Sequence, residues 1–269
     1  LFIYTNPTTE LPPALVRKGI VLMNLNLFDD ALKHFERGVS NHPTHALAFQ
    51  ARLLSGRCYF ETDQHELAER TWRDMLISNQ LTPAAAEWQE ALFGLGKLLH
   101  LTAVQQAMNA DLLLSTDPEK AMKLKGQAFR RWEEAIVRLD EYIKRYDMSE
   151  AEAADPRNRE QVRMLIESRC YLAKACQRSA ELQQRQMQLA ETENARNQFY
   201  EQMRQLLEQS NSNYERLKTD LLLASDDGRI DEFGREILRN CYFEIPNNFF
   251  AFHSFNLSVF RYCESACRF

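Results

Sequence analysis

Met23–Pro43 reads MNLNLFDDALKHFERGVSNHP, and thirty-seven residues beyond its Ala31 and Phe35 stand Ala68 and Trp72, in HELAERTWRDM (His65–Met75). A small residue followed four later by an aromatic, repeated at a fixed distance, is the mark of an internal repeat, and repeats decide architecture before any local propensity does. Aligning RKGIVLMNLNLFDDALKHFERG with LSGRCYFETDQHELAERTWRDM pairs Gly19 with Gly56, Leu22 with Tyr59, Ala31 with Ala68 and Phe35 with Trp72.

Each unit has the physics of two packed helices. Gly or Ala permits two helices to approach closely, large residues fill the gap beside it, and Ala31 with Phe35 is the expected packing pair of the first unit. Helices this short are marginal alone and depend on that packing. Pro43 and Pro83 then end one unit and open the next. This pattern resembles the tetratricopeptide repeat family. The first unit carries Leu15, Gly19, Leu22, Phe28, Ala31, Phe35, Gly38 and Pro43 at the family's positions. The second carries Gly56, Tyr59, Ala68 and Trp72, with Met75 where a small residue is usual. The resemblance implies an all-α fold, an α-solenoid of helical hairpins. Composition agrees: Gly and Pro number eight each, and almost no stretch alternates with a strand's period.

The repeat then stretches. QEALFGLGKLLH (Gln89–His100) matches a first helix through Leu92, Leu95, Gly96 and Leu99. Its second helix is delayed to WEEAIVRLDEYIKRY (Trp132–Tyr146), with Ala135, Leu139 and Tyr142. Thr82-Pro83 and Asp117-Pro118 read as helix starts. We expect long helices over roughly 83–115 and 118–146, the first about 50 Å long at a rise of 1.5 Å per residue. Asp155-Pro156 opens another helix, carrying Leu172, Ala173 and Cys176. Phe199, Met203, Leu206, Ser210, Tyr214, Leu217 and Leu221 then form a narrow apolar stripe of coiled-coil spacing. The polar QQRQMQLAETENARNQ (Gln183–Gln198) between them is read as the tip of a second long hairpin turning near Glu193, the alternative being one very long helix. The two long hairpins are expected to lie side by side.

The organisation expected is a lead-in at 1–11, two regular units at 12–82, an elongated third unit at 83–154, an elongated coiled-coil-like fourth at 155–228, and a divergent unit at 229–269. Pro246 stands where the last unit should carry its small residue, which predicts a helix break. Residues 239–269 hold seven Phe and two Tyr but five charges, a composition suited to docking on the array, to self-association, or to a further repeat beyond the chain.

Net charge is -5, without the basic stripe of a nucleic-acid binder. No apolar run approaches the roughly 20 residues of a bilayer span. Residue 1 is Leu, which reads as a processed or truncated N-terminus. Six cysteines occur without a Cys-x-x-Cys pair, so buried structural thiols are expected rather than zinc ligands. This favours a reducing, cytoplasmic compartment, with a bacterial periplasm or envelope as the alternative. LDEYIKRYD (Leu139–Asp147) resembles the second-helix ends of repeats in bacterial envelope assembly proteins. SDDGRIDE (Ser225–Glu232) lacks alternating carboxylates, and Gly228 reads as a helix-ending residue. NHPTH, with His42 and His45, reads as a turn between units. No P-loop, nucleophile elbow or HExxH motif occurs, so no catalytic residues, cofactor or metal are expected.

In the tetratricopeptide family the first helices line a peptide-holding groove. Carried onto this sequence, the resemblance places Ile20, Arg57, Lys97 and Lys174 at one groove position of successive units. Val16, Leu53, Phe93 and Cys170 fall at a second, and Met23, Phe60 and His100 at a third. Cations beside an apolar strip suit an acidic or C-terminal peptide segment; pairing of those cations with Glu90 and Glu167 is the competing expectation. The function expected is a protein-interaction scaffold binding a protein or peptide partner, the alternative being a self-assembling structural subunit.

Overall fold

The computed structural model describes residues 12–43, 45–226, 228, 230–245 and 247–248, and among them every regular element is helical. The chain divides into two compact units, 1–102 and 103–269, with the boundary falling inside one helix.

The first unit holds α1 (Pro12–Asn24), α2 (Phe28–Asn41), α3 (Leu47–Glu61), α4 (His65–Leu76) and the start of α5 (Ala86–Leu113). The residues matched by the repeat make matching contacts. A Cβ added to Gly19 would lie 2.8 Å from Phe35 Cδ1, and one on Gly56 would lie 2.8 Å from Trp72 Cε2. Phe35 is fully buried, in a cluster with Val16, Ala31, Leu32, Ala51, Leu54 and Cys58. The turns repeat as well. Leu27 N–H donates to Leu22 O and Gln64 N–H to Tyr59 O, each at 2.9 Å. Asn26 (φ 60°) and Asp63 (φ 58°) occupy the left-handed region, which their short polar side chains tolerate better than most. These two also stand thirty-seven residues apart, a member of the repeat that the side-chain pattern of the core had not exposed. Trp72 reaches past α3, its ring 3.1 Å from where a Gly94 Cβ would sit, and so wedges α4 between α3 and α5.

The second unit holds the remainder of α5, then α6 (Pro118–Tyr146), α7 (Glu150–Ala154), a single 3-10 turn (Pro156–Asn158), α8 (Arg159–Leu189), α9 (Glu193–Asp226) and α10 over 232–245. Asp117 caps α6, its carboxylate accepting from Lys120 N–H at 3.0 Å with Pro118 at the first position. This is the start read from Asp117-Pro118. Ala103, Ala128, Trp132 and Ala175 form a cluster joining α5, α6 and α8, and Lys125 pairs with Asp111 at 2.8 Å. The chain breaks at 190–192 and α9 begins at Glu193, so 159–226 is two helices rather than one. They run antiparallel: Ala180 meets Met203 and Leu207 toward one end, while Cys170 and Ala173 meet Tyr214, Leu217 and Leu221 toward the other. Midway, Ser210 Oγ donates to Ala173 O at 2.9 Å.

Helix lengths separate the two regions. α1 to α4 have 13, 14, 15 and 12 residues, whereas α5, α6, α8 and α9 have 28, 29, 31 and 34. Three expectations need adjustment. α5 starts at Ala86 rather than Pro83, because Thr82–Ala85 closes as a turn, Ala85 N–H donating to Thr82 O at 2.9 Å. A 3-10 turn and α7 precede α8; Ser149 and Glu152 form a reciprocal capping box that nucleates the short α7. The buried stripe of α9 is Met203, Leu207, Ser210, Tyr214, Leu217 and Leu221. Its spacing of 4, 3, 4, 3, 4 is a stricter heptad than the expected one, and Leu206 lies at its edge rather than in it. The expected break at Pro246 and the aromatic segment after it lie outside the described residues.

Candidate functional site

The residues expected to line a groove divide between the two units. In the first, α3 supplies Leu53, Arg57 and Phe60, and α5 supplies Glu90, Phe93, Lys97 and His100. Spacings of 3, 4 and 7 place each set on one helical face. Trp72 brings the two helices together by packing on Gly56 and Gly94. Arg57 and Glu90 then form an ion pair between α3 and α5, the pairing expected as the competitor to ligand binding. Lys97 Nζ sits 5.7 Å from the centroid of the Phe93 ring, within cation–π range. Leu53 and His100 are buried and lie beneath this surface rather than on it. Phe60 is partly buried and leans toward α4, its ring centroid 5.9 Å from His65 and 6.2 Å from Trp72. The surface that remains is Arg57, Glu90, Phe93 and Lys97.

In the second unit, Lys174 is partly buried on α8, one turn beyond Cys170. Burial pushes the Cys170 thiol up, and the Lys174 ammonium opposes that shift. Glu167 pairs with Arg163 at 3.4 Å, and the Arg163 guanidinium stacks 4.9 Å from the Phe233 ring of α10. Gln177 donates to Glu244 of α10 at 2.8 Å. A shift of seventy-seven residues superposes Glu90, Phe93, Leu95, Gly96 and Lys97 on Glu167, Cys170, Leu172, Ala173 and Lys174. The two long first helices thus carry the same order of acid, apolar residue and lysine.

Sequence reasoning missed a charged centre in the second unit. Arg169 points inward from α8, its side chain 8% exposed, and Nη2 donates to Asp147 Oδ1 at 2.6 Å. Asp147 ends α6, so the pair ties the end of α6 to α8. Asp220 of α9 lies close enough to both to feel their charges and pairs with Arg216 at 3.1 Å. Burial raises the Asp220 carboxyl above its ordinary value, outweighing the two arginines. The signal was present: Leu165, Arg169, Leu172 and Cys176 are spaced 4, 3, 4, which puts an arginine in an apolar register.

A shallow groove of about 580 Å³ lies along α6, lined by Ile136, Val137, Asp140, Glu141, Lys144, Arg145 and by Gln209 of α9. Its charges are satisfied locally, Lys144 by Asp140 at 2.6 Å and Arg145 by Glu141 at 2.9 Å. Met108, Leu112, Leu114 and Met122 are exposed where α5 ends and α6 begins. Among the described residues, no group of three or more His, Cys, Asp or Glu side chains is placed to hold a metal ion. Among the same residues no helix is long and apolar enough to cross a membrane. Cys58, Cys170, Cys176 and Cys241 are free and buried; burial pushes the Cys58 thiol up to about 11 and the Cys176 thiol to about 12, which makes both poor nucleophiles.

The class these observations define is an all-helical protein with an internal helical repeat. No protein-family model matches the chain, and no curated protein sequence matches it.

Proposed function

We propose that this protein is a non-catalytic interaction scaffold of the tetratricopeptide type, an α-solenoid with two elongated hairpins, whose first-helix surface holds an acidic peptide segment of a partner protein. The observation that carries this reading is the facing pair of helices in the first unit. Lys97 stands over the Phe93 ring there and Arg57 reaches Glu90 from the facing helix, so a carboxylate and an apolar side chain of one peptide find complementary groups on one surface. Lys174 beside Cys170 offers the second unit a counterpart. The Gly19–Phe35 and Gly56–Trp72 contacts support the family assignment, because that pattern of small and aromatic residues is what the resemblance rests on.

A fluorescein-labelled peptide alternating Leu and Glu, followed by polarisation, tests the reading, with a Leu–Gln peptide as the control. The chain is expected to bind the acidic peptide, and the triple variant R57E/K97E/K174E, once circular dichroism confirms that it stays helical, to lose that binding. Equal binding by the variant overturns the assignment of these cations.

A second reading, self-assembly as a structural subunit, is favoured by the exposed Met108, Leu112, Leu114 and Met122. Light scattering across a concentration series decides it, and a monodisperse monomer at every concentration rules it out.

A further inference from the structure

We infer that Glu90 is a built-in competitor for the acidic ligand of the first unit: it occupies the Arg57 guanidinium in the free protein and must be displaced when a ligand carboxylate arrives. This rests on the reading of that surface as an acidic-peptide site.

Three observations combine. First, the pair joins two different helices, Arg57 from α3 and Glu90 from α5, so it lies across the surface a peptide would follow rather than along one helix. Second, Glu90 shares its face of α5 with Phe93 and Lys97, three and seven residues further on. A peptide carboxylate drawn by Arg57 and Lys97 with its neighbouring apolar side chain on Phe93 would therefore compete with Glu90 directly. Third, the pair is only partly screened from water, with side-chain exposures of 39% for Arg57 and 22% for Glu90. Ion pairs in such surroundings hold weakly enough to exchange partners, being offset by hydration and side-chain entropy.

The physical consequence is a filter. A guanidinium engaged by an internal carboxylate is available to a ligand for only a fraction of the time, and the apparent affinity falls by that fraction. A neutral peptide has nothing to offer Arg57 and leaves the pair intact. An acidic peptide replaces one carboxylate by another, and it is retained only if its contacts with Lys97 and Phe93 exceed those that Glu90 makes. Weak single carboxylates are rejected, and acidic groups next to an apolar residue are selected.

The test compares wild type, Glu90→Gln and Glu90→Ala with the labelled Leu–Glu and Leu–Gln peptides, after thermal unfolding confirms that each variant folds. Removing Glu90 is expected to tighten binding of the Leu–Glu peptide about threefold to fivefold, the factor that corresponds to a weak, part-exposed pair, and to leave the Leu–Gln peptide unaffected. Binding of the Leu–Glu peptide by both variants that equals or falls below that of wild type overturns the competitor role and leaves the acidic-peptide site standing. Failure of wild type and both variants to bind the Leu–Glu peptide overturns the site itself, and the competitor with it.

Discussion

The indole of Trp72 lies against the bare Cα of Gly56, Cε2 standing 2.8 Å from the position a Cβ would take, and the same ring closes on Gly94 of the next helix. Trp72 is buried and held from two sides, so it cannot withdraw to admit a methyl group. Gly56→Ala gains up to about 1 kcal/mol of helix propensity but overpacks the contact, at a cost of about 1–3 kcal/mol. A net loss of stability is expected in chemical denaturation, and a smaller loss than the sum of the single changes when Gly56→Ala is combined with Trp72→Leu. A stabilised Gly56→Ala protein would show that α3 and α4 are free to separate.

Arg169 and Asp147 test the charged centre of the second unit. With Arg169 nearly buried and Asp147 half exposed, Asp147→Ala leaves a guanidinium with its strongest partner gone. A loss of about 1–3 kcal/mol is expected. Hydrogen exchange is expected to rise over the end of α6 and over 150–158, the segment that the pair anchors. Exchange that rises evenly over the whole unit would contradict a local tie.

Asp220 gives a pH dependence with a definite sign. Its folded pKa is raised above 3.8 by burial, so the folded state holds the proton more tightly than the unfolded state. Its contribution to stability is complete below about 3.8 and is lost as pH rises through the higher folded value. The melting temperature of Asp220→Asn relative to wild type is therefore expected to rise between roughly pH 4 and neutrality. The opposite trend would mean that Arg216 and Arg169 outweigh burial.

The thiols give an independent check on packing. Burial raises Cys58 to about 11 and both Cys176 and Cys241 to about 12. Two units above an ordinary thiol means about a hundredfold less thiolate at a given pH. In a protein carrying C263S and C267S, a disulfide reagent is expected to leave Cys58, Cys170, Cys176 and Cys241 essentially unmodified until denaturant is added. Rapid labelling of the native protein would show that the cores around them open readily.

Much of this was legible in the residues. The repeat that aligns Gly19 with Gly56 and Phe35 with Trp72 is visible along the chain, and so are the start of α6 at Asp117-Pro118 and the helix-ending Gly228, whereas the approach of Phe35 to Gly19 and of Trp72 to Gly56 comes from the packing. The pairing of Arg57 with Glu90 is the one the sequence offered as the competitor to ligand binding. The family resemblance implied a groove lined by Leu53 and His100 among others, but these two are buried. A helical face can be assigned from spacing, whereas its exposure depends on the helix that covers it.

By itself the sequence determined the helical class and the thirty-seven-residue repeat, and it marked particular helix starts such as Asp117-Pro118, because caps, Pro and Gly positions and the i, i+4 neighbourhood act over a few residues. Only the tertiary structure decided that Leu207 rather than Leu206 joins the seam of α9, that Arg169 turns inward to hold Asp147, and that Glu90 reaches the guanidinium of Arg57. Those outcomes depend on how one helix is rotated against another. A rotation of a fraction of a turn leaves every local preference satisfied while changing which side chains face each other, so the choice falls to packing across the interface.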